Sequence, residues 1–124
     1  MEDSYSRMQS GPVGRATAEH YTWGDNCDGW RLIKDAELSV IEEEMPAGAS
    51  EVWHHHTRAQ QFFFILSGEA VMDLEDRQVR LRAREGIHIP RGVRHRIRNA
   101  SKEPVQFLVI SQPPSHGDRV VVKA

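Results

Sequence analysis

From residue 30 onward, short apolar segments alternate with turn residues at intervals of about 8–12, the spacing expected of an antiparallel sandwich or barrel. The alternation predicts strands at 30–33, 38–45, 52–56, 61–67, 70–75, 79–82, 87–89, 94–99 and 105–111, with a last one at 119–123. The breaks between them carry turn chemistry: Pro46-Ala47-Gly48, Ser67-Gly68, Glu75-Asp76, Glu85-Gly86, Pro90-Arg91-Gly92 and Asn99-Ala100-Ser101. No long helical period competes with them. The expected fold is therefore all-β: a single-domain antiparallel β-barrel, built as a double-sheet jelly roll. The first twenty residues carry Gly11, Pro12, Gly14 and many polar side chains, so residues 1–20 read as an arm and 21–124 as the barrel with a C-terminal tail.

Composition narrows the function classes. A chain of 124 residues lies in the range of one compact domain with one core and one main site. A formal net charge of -2, from 16 basic and 18 acidic residues, gives no overall field toward nucleic acid or anionic membrane. The longest apolar run, 62–66, is far below the roughly 20 residues of a membrane helix, and the N-terminus lacks a secretory pattern. The chain reads as cytoplasmic, with small molecules or copies of itself as partners. Cys27 is the single cysteine, which excludes an internal disulfide and a multi-cysteine zinc knuckle. Any metal must be held by histidine, glutamine or carboxylate.

The segment 48–68 is the most informative in the chain. Side chains two apart on a strand share a face, so His54 and His56 point one way and His55 the other. A tight return after His56 brings Gln61 beside the two rings, with Gln60 facing away, and His95 follows a Pro/Gly turn where another strand begins. His20, His55 and His116 read as non-ligands, His88 is open to either face, and Asn99 reads as a turn former. Phe63, Ile65 and Ile97 share the parity of the ligands and are expected to line the cavity.

These residues resemble the cupin superfamily, whose first motif is Gly-x5-His-x-His-x3–4-Glu-x6-Gly and whose second ends Pro-x-Gly-x2-His-x3-Asn. Gly48, His54, His56 and Gly68 fall in register with the first; Pro90, Gly92, His95 and Asn99 fall in register with the second. The resemblance implies one divalent transition metal (zinc, nickel, manganese or iron) held by His54, His56, Gln61 and His95. Two positions depart from the pattern. Gln61 replaces the usual carboxylate, and Arg84 stands where the second motif commonly opens with glycine.

An amide in place of a carboxylate leaves the ligand set uncharged, so the ion keeps its full charge and is a stronger Lewis acid. One reading is therefore a metal-dependent lyase, isomerase or ring-opening enzyme in which the ion polarises a small carboxylated substrate. The same ligand pattern is similar to that of cupins that open unsaturated uronic acids, which also use a carboxylate and an arginine on a late strand near a Ser-Pro-Pro turn; here the corresponding strand, 107–110, is apolar before Gln112-Pro113-Pro114, the nearest candidates are Asp118 and Arg119, and the substrate does not carry over. A second reading is a dioxygenase, with Glu51 or Asp73 approaching the site to supply the carboxylate common in non-haem iron oxygenases. A third is a non-catalytic barrel that binds a small ligand or a metal.

The remaining features have plain structural readings. Arg80, Arg82 and Arg84, and again Arg94, Arg96 and Arg98, recur with the period of one strand face. They predict a solvated outer face, or pairing with Glu42-Glu43-Glu44 across a sheet or dimer interface. Trp53 shares the parity of His55 and should face away from the metal. The stretch 111–119 either covers the cavity mouth or crosses to a neighbouring subunit. The polar arm and the edge Val120-Val121-Val122 predict a homodimer.

Overall fold

A computed structural model describes residues 11–122, which form eleven strands in two antiparallel sheets. These are β1 (Glu19–Trp23), β2 (Cys27–Lys34), β3 (Ser39–Met45), β4 (His54–His56), β5 (Gln60–Ser67), β6 (Glu69–Leu74), β7 (Gln78–Arg82), β8 (Gly86–Ile89), β9 (His95–Arg98), β10 (Val105–Gln112) and β11 (Arg119–Val121). One sheet has the order β1-β2-β3-β10-β5-β8 and the other β11-β4-β9-β6-β7. The all-β, double-sheet jelly roll is the expected fold.

Period-two sequence makes the core. On β10, Val105, Phe107, Val109 and Ser111 point inward and are buried; on β5, Gln61, Phe63 and Ile65 do the same while Phe62 and Leu66 face solvent. Met45, Met72 and Ile97, all fully buried, close the space between the sheets. Large side chains of this kind each stabilise the fold by about 1.5–3 kcal/mol on burial. Gly68 joins β5 to β6 at φ +82°, and a Cβ there would lie 2.6 Å from the Pro104 carbonyl oxygen, so glycine is required on two counts.

Two local differences from the sequence reading concern the N-terminal edge. The β1–β2 hairpin was not expected as such, and β2 begins before residue 30. Of the expected arm, residues 1–10 lie outside the described residues. Within the remainder, Arg15 binds Glu42 at 2.6 Å and Glu44 at 3.2 Å and lies over the Trp30 ring, while Glu19 and His20 already belong to β1.

Within the chain, four of the six arginines of the two rows take acidic partners from their own side of the barrel rather than from Glu42-Glu43-Glu44. Arg96 and Arg98 both bond Asp73 at 2.8 Å, Arg94 pairs with Glu75, and Arg80 with Glu69. The register explains this, because Asp73 stands directly across from Arg96 in the β6–β9 pair.

Candidate metal centre

His54 and His95 are cross-strand partners between β4 and β9, so both rings rise from the same spot on the inner face. His56, two residues along β4, shares that face. The three histidines are buried, and their nearest ring nitrogens lie within 4.8 Å of one another. Gln61 approaches from the opposite sheet: it is the second residue of β5 and pairs across to Ser111 on β10. The site thus lies between the sheets, at the end of the barrel where β5 begins.

Each ring is locked in one tautomer. His54 Nδ1 donates to the Val52 carbonyl and His95 Nδ1 to the Val93 carbonyl, both at 2.9 Å; His56 Nδ1 donates to Asp118 Oδ1 at 2.7 Å. Carbonyls and a carboxylate only accept, so the proton is on Nδ1 and every Nε2 keeps its lone pair. Burial lowers the pKa of His54 to about 3 and of His95 to about 4, against the opposing bonds to Val52 and Val93; burial also lowers that of His56, against the pull of Asp118. Three neutral imidazoles oriented from behind are what a divalent metal requires.

His95 Nε2 and Gln61 Oε1 are buried with no hydrogen-bond partner. The Gln61 amide is oriented by its other end, where Nε2 donates to Ser111 Oγ at 3.0 Å, leaving the carbonyl oxygen as a free acceptor. Buried lone pairs without partners are costly, and an ion among these groups would satisfy both at once. The donor set therefore fits a divalent metal.

A cavity of about 200 Å³ opens onto His54, His56 and Gln61, walled in part by Phe63, Val109, Trp23, Glu43, Glu51 and Arg119. Phe63 lines it as expected. Ile65 and Ile97 do not: both share the inward face but are fully exposed to none of it, lying deeper in the packed core. Parity gives the face of a strand, whereas depth along it decides between wall and floor, and each further pair of residues moves a side chain roughly 6–7 Å from the mouth. His88 faces outward and bonds Gln60 at 3.0 Å. Trp53 lies under Arg96 on the outer side. Asn99 is buried in its turn, donating to the Met45 and Glu103 carbonyls.

Asp118 and Arg119 act on the site in different ways, the first from behind His56 and the second from the cavity wall. Asp118 is buried and accepts the Arg58 and Ala59 amides through Oδ2. Burial alone would raise its pKa, but those amides and His56 hold it below the usual carboxylate value. Arg119 stands directly opposite His56 in the β4–β11 pair, which turns its side chain to the cavity.

Two carboxyls line the cavity: Glu51, which sequence offered as one that approaches the site, and Glu43, which it did not. Glu43 shares its face with Ile41 and Met45 on β3, the signal that separates it from Glu42 and Glu44, and accepts from Tyr21 Oη at 2.9 Å. Burial raises its pKa to about 7, against the lowering effect of Tyr21, Arg119 and Arg31. Glu51 accepts from the Ile97 amide at 3.2 Å, and burial and Glu43 raise its pKa to about 8. Tyr21 lies flat against Gly29, where any Cβ would collide with its ring.

The family model of the cupin domain matches residues 41–111. This chain belongs to the cupin family. Among sequence relatives, this cupin is 28% identical over 93 residues to an uncharacterized protein of Methanocaldococcus jannaschii, covering 74% of each chain. It is 29% identical over 70 residues to the tetracenomycin polyketide synthase protein TcmJ of Streptomyces glaucescens, covering 56% of this chain but 47% of that one. Among solved structures, the polyketide cyclase RemF of Streptomyces resistomycificus superposes with a TM-score of 0.78 at 20% identity, covering 92% of this chain and 86% of that one. The last likeness is one of fold.

Proposed function

We propose that this cupin is a metal-dependent enzyme of the lyase, isomerase or ring-opening kind, acting on a small carboxylated molecule at a centre formed by His54, His56, His95 and Gln61. The observation that carries the reading is the unpartnered Gln61 Oε1 beside three neutral imidazoles, which makes a wholly uncharged donor set. When bound, a divalent ion would supply Lewis acidity toward a substrate oxygen, undiminished by any anionic ligand.

The chain supplies the rest. Arg119, at the cavity wall, meets a substrate carboxylate with a charge-assisted hydrogen bond and fixes its orientation. Glu43, with Tyr21 bonded to it, takes a proton from the substrate carbon next to the carboxylate and returns it elsewhere, since a carboxyl with a pKa of about 7 exchanges protons readily near neutrality. Phe63 and Val109 exclude water from the reacting carbon. Enzymatic relatives support chemistry on small oxygenated molecules: TcmJ is a polyketide synthase protein, and the fold neighbours include a polyketide cyclase and a sugar phosphate isomerase.

The dioxygenase reading finds less support in the two carboxylates that sequence offered to it. Asp73 is occupied by Arg96 and Arg98, and Glu51 lies 3.9 Å from His54 Nδ1, on the edge of the ring away from Nε2.

The test is proton exchange in D2O, followed by NMR, with the metal-loaded protein and a panel of 2-keto, 2-hydroxy and unsaturated ring acids under nitrogen. Oxygen-independent exchange or conversion is expected. In Gln61→Glu, metal affinity should hold or rise while turnover falls at least about tenfold, corresponding to about 1.4 kcal/mol of lost transition-state stabilisation. An unchanged rate, or a strict need for oxygen, overturns the reading.

A further inference from the structure

A second, larger cavity of about 460 Å³ adjoins the inner one and shares Tyr21, Ile41, His56, Ser115 and Arg119 with it. Its far wall is formed by the end of β2 and the start of β3, with Arg31, Lys34 and Ser39, and its roof by the turn Pro114-Ser115-His116-Gly117. Together with Arg119 this gives three permanent cations around one opening, against a single carboxylate in the lining, Asp35. That carboxylate is engaged: Oδ1 accepts the Glu37 and Leu38 amides. Outside the lining, Glu19 stands 3.5 Å from Arg31 and 3.6 Å from Lys34, near enough to pair but too far for a good hydrogen bond. Arg31 Nε, the atom that faces Glu19, is buried and makes no hydrogen bond, while its guanidinium is held over the Tyr21 ring at 4.3 Å. A guanidinium N–H at the wall of a cavity, with no hydrogen bond and only an exposed carboxylate at 3.5 Å, can be taken by an anion that comes closer.

We propose that the outer cavity is an anion-binding vestibule and that the substrate is bipartite: one end reacts at the inner centre while a carboxylate or phosphate at the other end is held by Arg31 and Lys34. The inference rests on the reading of the inner centre only for which end reacts. Ile41 and Tyr21, common to both cavities, give the molecule's midsection an apolar and aromatic wall, so the ligand has a carbon spacer rather than two adjacent charges. Its anionic end is distinct from the carboxylate met by Arg119.

Inorganic phosphate titrated into the metal-free chain tests the vestibule by itself, with amide NMR shifts read at Lys34, Ser39, Ser115 and Gly117. Saturable shifts at these positions are expected, weakened at least about tenfold in Arg31→Gln and several-fold in Lys34→Gln, the latter at an exposed strand end where folding is safe. No saturable shift, or shifts indifferent to both substitutions, overturns the vestibule. With the cobalt-loaded chain, a six-carbon dicarboxylate should bind about tenfold more tightly than the matching monocarboxylate, and the difference should vanish in the Arg31→Gln protein. Equal binding of the two acids overturns the bipartite substrate. Because the phosphate arm needs no metal, a failure of the inner centre to bind cobalt would leave its result standing.

Discussion

Asp118 shows how one side chain can govern a centre it does not enter. It orients His56 through Nδ1 and is itself fixed by two backbone amides, so Asp118→Asn should weaken metal binding by about 10–100-fold with the fold intact. Competition with a chromophoric chelator measures this, and unchanged affinity would mean that the bond is structural only. Arg84 makes a different point. It occupies the position where the second motif commonly has glycine, and it keeps the left-handed backbone at φ 73° with an exposed side chain. Arg84→Gly should therefore stabilise the protein by about 0.5–1 kcal/mol in urea unfolding, the steric strain relieved outweighing the entropy that glycine adds to the unfolded chain.

The strand pair β6–β9 carries the main buried charge outside the site. Asp73 is buried beneath Arg96 and Arg98; burial would raise its pKa, but bonds to both guanidiniums hold it below the usual value. A depressed carboxylate pKa adds stability above the unfolded value near 4 and loses it as pH falls through the folded value. Asp73→Asn should cost about 1–2 kcal/mol at neutral pH, discounted because both arginines reach solvent, and should flatten the fall in urea midpoint below about pH 4. These strands were legible because alternation is strict: Arg96 and Arg98 had to face out once His95 faced in. The β1–β2 hairpin was not, since Gly29 inside β2 owes its place to Tyr21 of the neighbouring strand, for which it makes room. The histidines and Gln61 were legible from spacing and parity. Glu43 was harder, because its place at the cavity depends on the opposing sheet and on burial, which no single strand encodes.

The outer face of the six-stranded sheet leaves Phe62 and Leu66 exposed, beside half-buried Phe64, Leu108 and Ile110 in register across β5 and β10. A second copy covering this face would remove the patch from water, and light scattering should find a dimer that Phe62→Lys converts largely to monomer. A wild-type monomer would contradict that proposal without touching the centre, which is built within one chain. The central claim is met most directly by titrating the metal-free protein with cobalt(II) and following its visible absorption and X-ray absorption edge. One ion per chain is expected, bound by three imidazole nitrogens, with saturable binding abolished in a folded His95→Ala variant. No saturable binding, or binding that His95→Ala leaves unchanged, would contradict it.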